Sequence, residues 1–71
     1  MINETQQKTL SRLAHLAEYA PCNTNEFDQE LMKKGLVKIN RMNFKGEEYL
    51  DTTLTKAGIN KLNQLVQLSR Q

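Results

Sequence analysis

Seventy-one residues are enough for one domain and too few for two. The single cysteine, Cys22, excludes an internal disulfide, and no stretch approaches the ~20 consecutive apolar residues of a membrane span. A formal net charge of +2 selects no partner by itself, and with no apolar run across residues 1–7 the sequence predicts a cytoplasmic protein.

Residues 4–20 have the period of an amphipathic helix. Leu10, Leu13, Ala14, Ala17 and Ala20 recur at three- and four-residue spacing, and Leu16 widens the stripe. Lys8, Arg12, His15 and Glu18 are expected on the solvated side. Pro21 ends the helix, because the residue before a proline is pushed out of the α region. A short turn, "PCNT", leads to a second helix over 24–34. Asn23, Thr24 or Asn25 can cap it by accepting hydrogen bonds from its free amides. Glu26 and Asp28 then suit the positive end of its dipole, and Lys33 and Lys34 the negative end. Phe27 and Leu31 form its buried stripe.

Gly35 follows at once and is expected in the left-handed conformation that closes a helix, with Leu36 folding back onto Leu31. From Leu36 the apolar period becomes two, predicting a hairpin over 36–54 with its turn at Lys45-Gly46. In that register Val37 faces Leu54, Ile39 faces Thr52, and Met42 faces Tyr49 on the outer side. Thr55 caps a last helix over 55–69, in which Ile59, Leu62, Leu65, Val66 and Leu68 are apolar. Gly58 in its first turn lowers helix propensity, so close packing is the expected reason for it.

Two stretches carry a resemblance. "LMKKGLV" resembles the end of a recognition helix entering the wing of MarR-type and PadR-type repressors. "YLDTTLTKAGINKL" resembles their second wing strand and the helix that follows. Together they span Leu31 to Leu62, about half the chain. The resemblance implies an α+β, mostly helical fold. It would be one winged-helix domain over 1–71, ordered α-α-β-β-α with a two-stranded wing, that binds DNA and regulates transcription. The chain has room for two helices before the wing where such domains carry three. The spacing from Leu13-Ala14 to Gly35 suits residues 10–20 as the second of those.

In that frame Asn23, Thr24, Asn25 and Gln29 are the base-contact candidates, since Asn and Gln can pair bidentately with adenine. The alternative is that Asn23 to Asn25 only cap the helix. Residues 33–45 hold Lys33, Lys34, Lys38, Arg41 and Lys45 with no acid among them, between acidic flanks. These five are phosphate-contact candidates, or else they solubilise the wing and discourage edge pairing. Leu10, Leu65, Val66 and Leu68 are candidates for a homodimer contact through the terminal helices. The alternative is a monomer that uses those leucines as core.

Catalysis has little footing. His15 is the only histidine, Cys22 has no partner for zinc or a nucleophile pair, and Glu47-Glu48 has no evident acid–base partner. Neither metal nor cofactor is expected. Two readings remain: a small DNA-binding regulator, or a winged-helix-derived protein-interaction module of the phage inhibitor or adaptor kind that binds no DNA.

Overall fold

A computed structural model describes residues 1–70. In chain order it comprises α1 (Glu4–Tyr19), β1 (Cys22–Asn23), α2 (Glu26–Lys33), β2 (Val37–Phe44), β3 (Glu47–Leu54) and α3 (Lys56–Ser69). The fold is α+β, with three helices on a three-stranded antiparallel sheet ordered β1-β3-β2. The expected order α-α-β-β-α with a two-stranded wing is therefore corrected. "PCNT" is not only a turn, because Cys22 pairs with Thr52 and Asn23 with Asp51. This two-residue strand occupies the space between α1 and α2.

Asn3 starts α1 through a capping box: its Oδ1 accepts from the Gln6 amide at 2.8 Å, and Gln6 Oε1 accepts from the Asn3 amide at 2.9 Å. The buried stripe is Thr9, Leu13 and Leu16. Ala14, Ala17 and Ala20, expected inside, are exposed. The two leucines bury far more area per residue than alanine, so they decide which face turns inward. The same rotation corrects Arg12, which leaves the solvated side and becomes half-buried.

Asn25 is the cap of α2, accepting from the Asp28 amide at 2.9 Å. At the far end Gly35 has φ +76°, the Leu36 amide donates to the Leu31 carbonyl at 3.0 Å, and the Gly35 amide to Met32 at 2.9 Å. This is a Schellman closure, with Leu36 packed back toward Leu31 as the spacing predicts. A Cβ at Gly35 would meet nothing within 4 Å, so its cost is conformational alone. Gly35→Ala is expected to lower stability by about 1–2 kcal/mol, and Gly35→Asn by less. Urea denaturation of both variants checks this, and an unchanged midpoint for the alanine variant would refute it.

The hairpin has the predicted register, with Val37 opposite Leu54, Ile39 opposite Thr52 and Met42 opposite Tyr49. Lys45 and Gly46 both have positive φ, 52° and 80°, as a type I′ turn requires. Thr55 caps α3: its hydroxyl accepts from the Gly58 amide at 3.0 Å and donates to the Gly35 carbonyl at 2.6 Å. One hydroxyl thus ties the start of α3 to the hinge after α2.

Leu13, Leu16, Leu31, Leu36, Val37 and Leu65 form the core, with Leu10, Cys22, Phe27, Leu54, Leu62 and Leu68 packed against it. Helices α1 and α3 pack on one another within one chain. Leu65 is fully buried there, which removes it as a dimer contact, while Leu10, Val66 and Leu68 are half-buried. Residues 41–49 are all exposed, so the hairpin tip projects and the molecule is elongated, 49 × 19 × 18 Å. Among the described residues no helix is long and apolar enough to cross a membrane.

Candidate nucleic-acid interface

The four base-contact candidates lie around the start of α2 but differ in what they can offer. Asn23 is exposed in β1, and its carbonyl accepts from Arg12 Nη2 at 2.9 Å. Thr24 is half-buried, its hydroxyl 2.8 Å from that of Thr52. Asn25 spends its Oδ1 on the cap. A bidentate adenine contact needs both the carbonyl and the amide of one side chain, so Asn25 cannot supply it in this conformation. The capping alternative describes Asn25, and Thr24 is a structural residue. Asn23 and Gln29 are both exposed with no hydrogen bond to their side chains among the described residues.

The phosphate-contact candidates do not form one face. Strand alternation puts Lys38 on the opposite side of the hairpin from Arg41. Lys33 and Lys34 sit at the end of α2, and Lys34 lines a shallow cleft with Thr9, Lys61 and Leu65, away from the hairpin. Lys45 occupies the turn, its ammonium 5.4 Å from the Phe44 ring centroid. Arg41 Nε lies 3.3 Å from Glu48 Oε1. That exposed pair contributes little to stability, but it places an acid beside the cation. Pairing β2 with β3 sets Lys38, Arg41 and Lys45 among Glu47, Glu48 and Asp51, three charges of each sign. The basic footprint seen along the sequence is thus largely cancelled on the folded hairpin.

What the fold does bring together is a groove of about 430 Å³ between α2 and the inner face of the hairpin. Gln29, Met32, Ile39, Arg41 and Leu50 line it. An apolar floor with one amide and one guanidinium at its edge offers a few convergent polar groups on a concave surface.

Behind α2 lies a polar network that sequence reasoning missed. Asp28 is fully buried. Its Oδ1 accepts from Arg12 Nε at 2.8 Å, and its Oδ2 from Arg12 Nη2 at 2.6 Å, the Thr52 hydroxyl at 2.9 Å and the Asn25 amide at 3.1 Å. Three elements, α1, α2 and β3, meet with the cap residue Asn25 at this one carboxylate. Burial pushes the Asp28 carboxyl up, but the Arg12, Asn25 and Thr52 hydrogen bonds and the Arg12 charge outweigh it, leaving it below the usual carboxylate value. The hydrogen bond that Arg12 donates to Asp28 in turn raises Arg12. Among the described residues no buried side-chain polar atom lacks a partner. The available signal was position: Arg12 falls on the stripe of Thr9, Leu13 and Leu16, and Asp28 lies one turn before Leu31.

His15 packs against Tyr19, ring centroids 4.8 Å apart, and Cys22 is half-buried in β1. Among the described residues no three His, Cys, Asp or Glu side chains gather as a metal site. Compared with protein-family models, curated proteins and solved structures, the chain finds no match.

Proposed function

We propose that the chain is a small winged-helix protein of the cytoplasm that binds duplex DNA and regulates transcription by occupying its site. The observation that carries this reading is the groove between α2 and the projecting hairpin, which sets Gln29 beside Arg41. A helix laid against a groove-spanning hairpin is a suitable shape for a duplex, and Gln29, which lines the groove, has both amide groups free to read adenine. Arg41 and Lys45 serve as phosphate contacts on the same projection. Lys38, on the other face, does not.

Binding to mixed duplex DNA at several salt concentrations tests this, because phosphate contact falls steeply as salt rises. Arg41→Ala and Lys45→Ala are each expected to reduce the salt slope by about one, Lys38→Ala to leave it unchanged, and Gln29→Ala to relax preference at one base pair. No duplex binding at low salt would refute the reading.

One observation favours the protein-interaction module as a second reading. The outer face of the hairpin presents Met42, Phe44 and Tyr49 at 49%, 62% and 46% exposure. Exposed apolar side chains in one cluster are a feature of protein contacts. Failure to bind duplex, together with unchanged folding of a Met42→Ser, Phe44→Ser double variant, would leave this face as the functional surface.

A further inference from the structure

The hairpin carries as much negative as positive charge, and cationic donors also gather elsewhere in the fold. A cleft of about 300 Å³ opens between α1 and the start of α2, lined by Lys8, Ser11, Arg12, His15, Asn25 and Phe27. No acid lines it. Lys8 has no ion-pair partner among the described residues, and its ammonium is held 4.6 Å from the Phe27 ring centroid. Arg12 uses Nε and Nη2 on Asp28 and Asn23, which leaves the two N–H groups of Nη1 without a partner among the described residues. Asn25 uses its Oδ1 and keeps its amide nitrogen. The Ser11 hydroxyl and the His15 ring add further donors.

We propose that this cleft is a binding site for a phosphate group. The donors converge from two helices, the two cations differ in kind, and the Asp28 carboxylate behind Arg12 is already saturated by its own partners. Lys8 supplies the point charge, Arg12 a fixed planar donor, and Ser11 and Asn25 neutral hydrogen bonds. The phosphate belongs either to a nucleic-acid backbone or to a free phosphorylated small molecule. The site stands independently of DNA contact by α2 and the hairpin.

Amide chemical shifts followed during titration with inorganic phosphate, at constant ionic strength and with chloride as control, test it. The expected result is saturable shifts at Lys8, Ser11, His15 and Asn25. Lys8→Ala should weaken them by about fivefold, as for loss of one exposed charge contact, and Ser11→Asp should abolish them. Both positions are exposed on α1, so the fold survives either change. Shifts that grow linearly without saturating and persist in Lys8→Ala, or that centre on Lys38, Arg41 and Lys45, would overturn the site. A short duplex and a nucleoside monophosphate then separate the sources. Saturable shifts of the cleft amides with the duplex assign a backbone phosphate, and with the mononucleotide alone a free ligand; either supports the site. Silence with all three forms of phosphate overturns it. Gln29→Ala and Arg41→Ala leave the cleft intact, so duplex binding that is unchanged in those variants removes the groove reading and not this one.

Discussion

Gly58→Ala is expected to destabilise the domain by about 3 kcal/mol, at the upper end of ordinary overpacking. A Cβ at this position would overlap the backbone carbonyl oxygen of Leu36 and come within 3.1 Å of Leu54 Cδ2. The carbonyl has little room to retreat. It accepts from the Thr55 amide at 3.2 Å, and Leu36 itself is buried in the core. Helix propensity alone predicts the opposite sign, a gain of up to about 1 kcal/mol on replacing glycine by alanine inside a helix. A domain of this length has a total stability of roughly 4–10 kcal/mol, so the loss would be plain in a urea titration. A midpoint that rises would show that α3 stands further from Leu36 than described.

Asp28→Ala is expected to be still more damaging, by about 3–5 kcal/mol, because it strands the Arg12 guanidinium and leaves the Thr52 hydroxyl without its acceptor. The same carboxylate should set an acid transition. Its folded value lies below the ordinary 3.8, so its stabilisation is complete above that value and is lost as pH falls through the lower folded one. Urea midpoints measured from about pH 6 down to about pH 2 should therefore drop mainly below about pH 4. Asp28→Asn should start lower and show a shallower fall over the same range. A wild-type curve no steeper than that of Asp28→Asn would place the acid sensitivity elsewhere.

The helices and the hairpin were legible because each rests on local chemistry. Gly35 after a lysine pair, Thr55 before α3 and Lys45-Gly46 between alternating strands act within a few residues of themselves. The register followed from the turn alone. Strand β1 was illegible because two residues have no period, and its pairing to Thr52 and Asp51 is decided some thirty positions away. The alanines of α1 misled because alanine is nearly neutral to burial, so a stripe counted by apolar identity tilted from the one counted by buried area. Arg12 read as a solvated charge and Asp28 as a partner of the helix dipole, since pattern alone cannot show that two distant charges pair. The candidate site suffered most. A run of cations along the chain became, after strand pairing, a mixture of both signs, whereas the cations of the α1–α2 cleft are scattered in sequence and meet only in the fold.

The projecting hairpin divides the chain into parts whose folding should tolerate substitution very differently. No residue from 38 to 53 belongs to the apolar core, and of that span only Thr52 is fully buried. Changes from Arg41 to Leu50 can therefore accumulate without threatening folding, provided the turn keeps Gly46. Thr52, Asp28 and Arg12 allow no such drift, since each answers to partners on other elements. A lineage of such proteins would keep its joint while its tip diversified, acquiring new targets faster than new shapes.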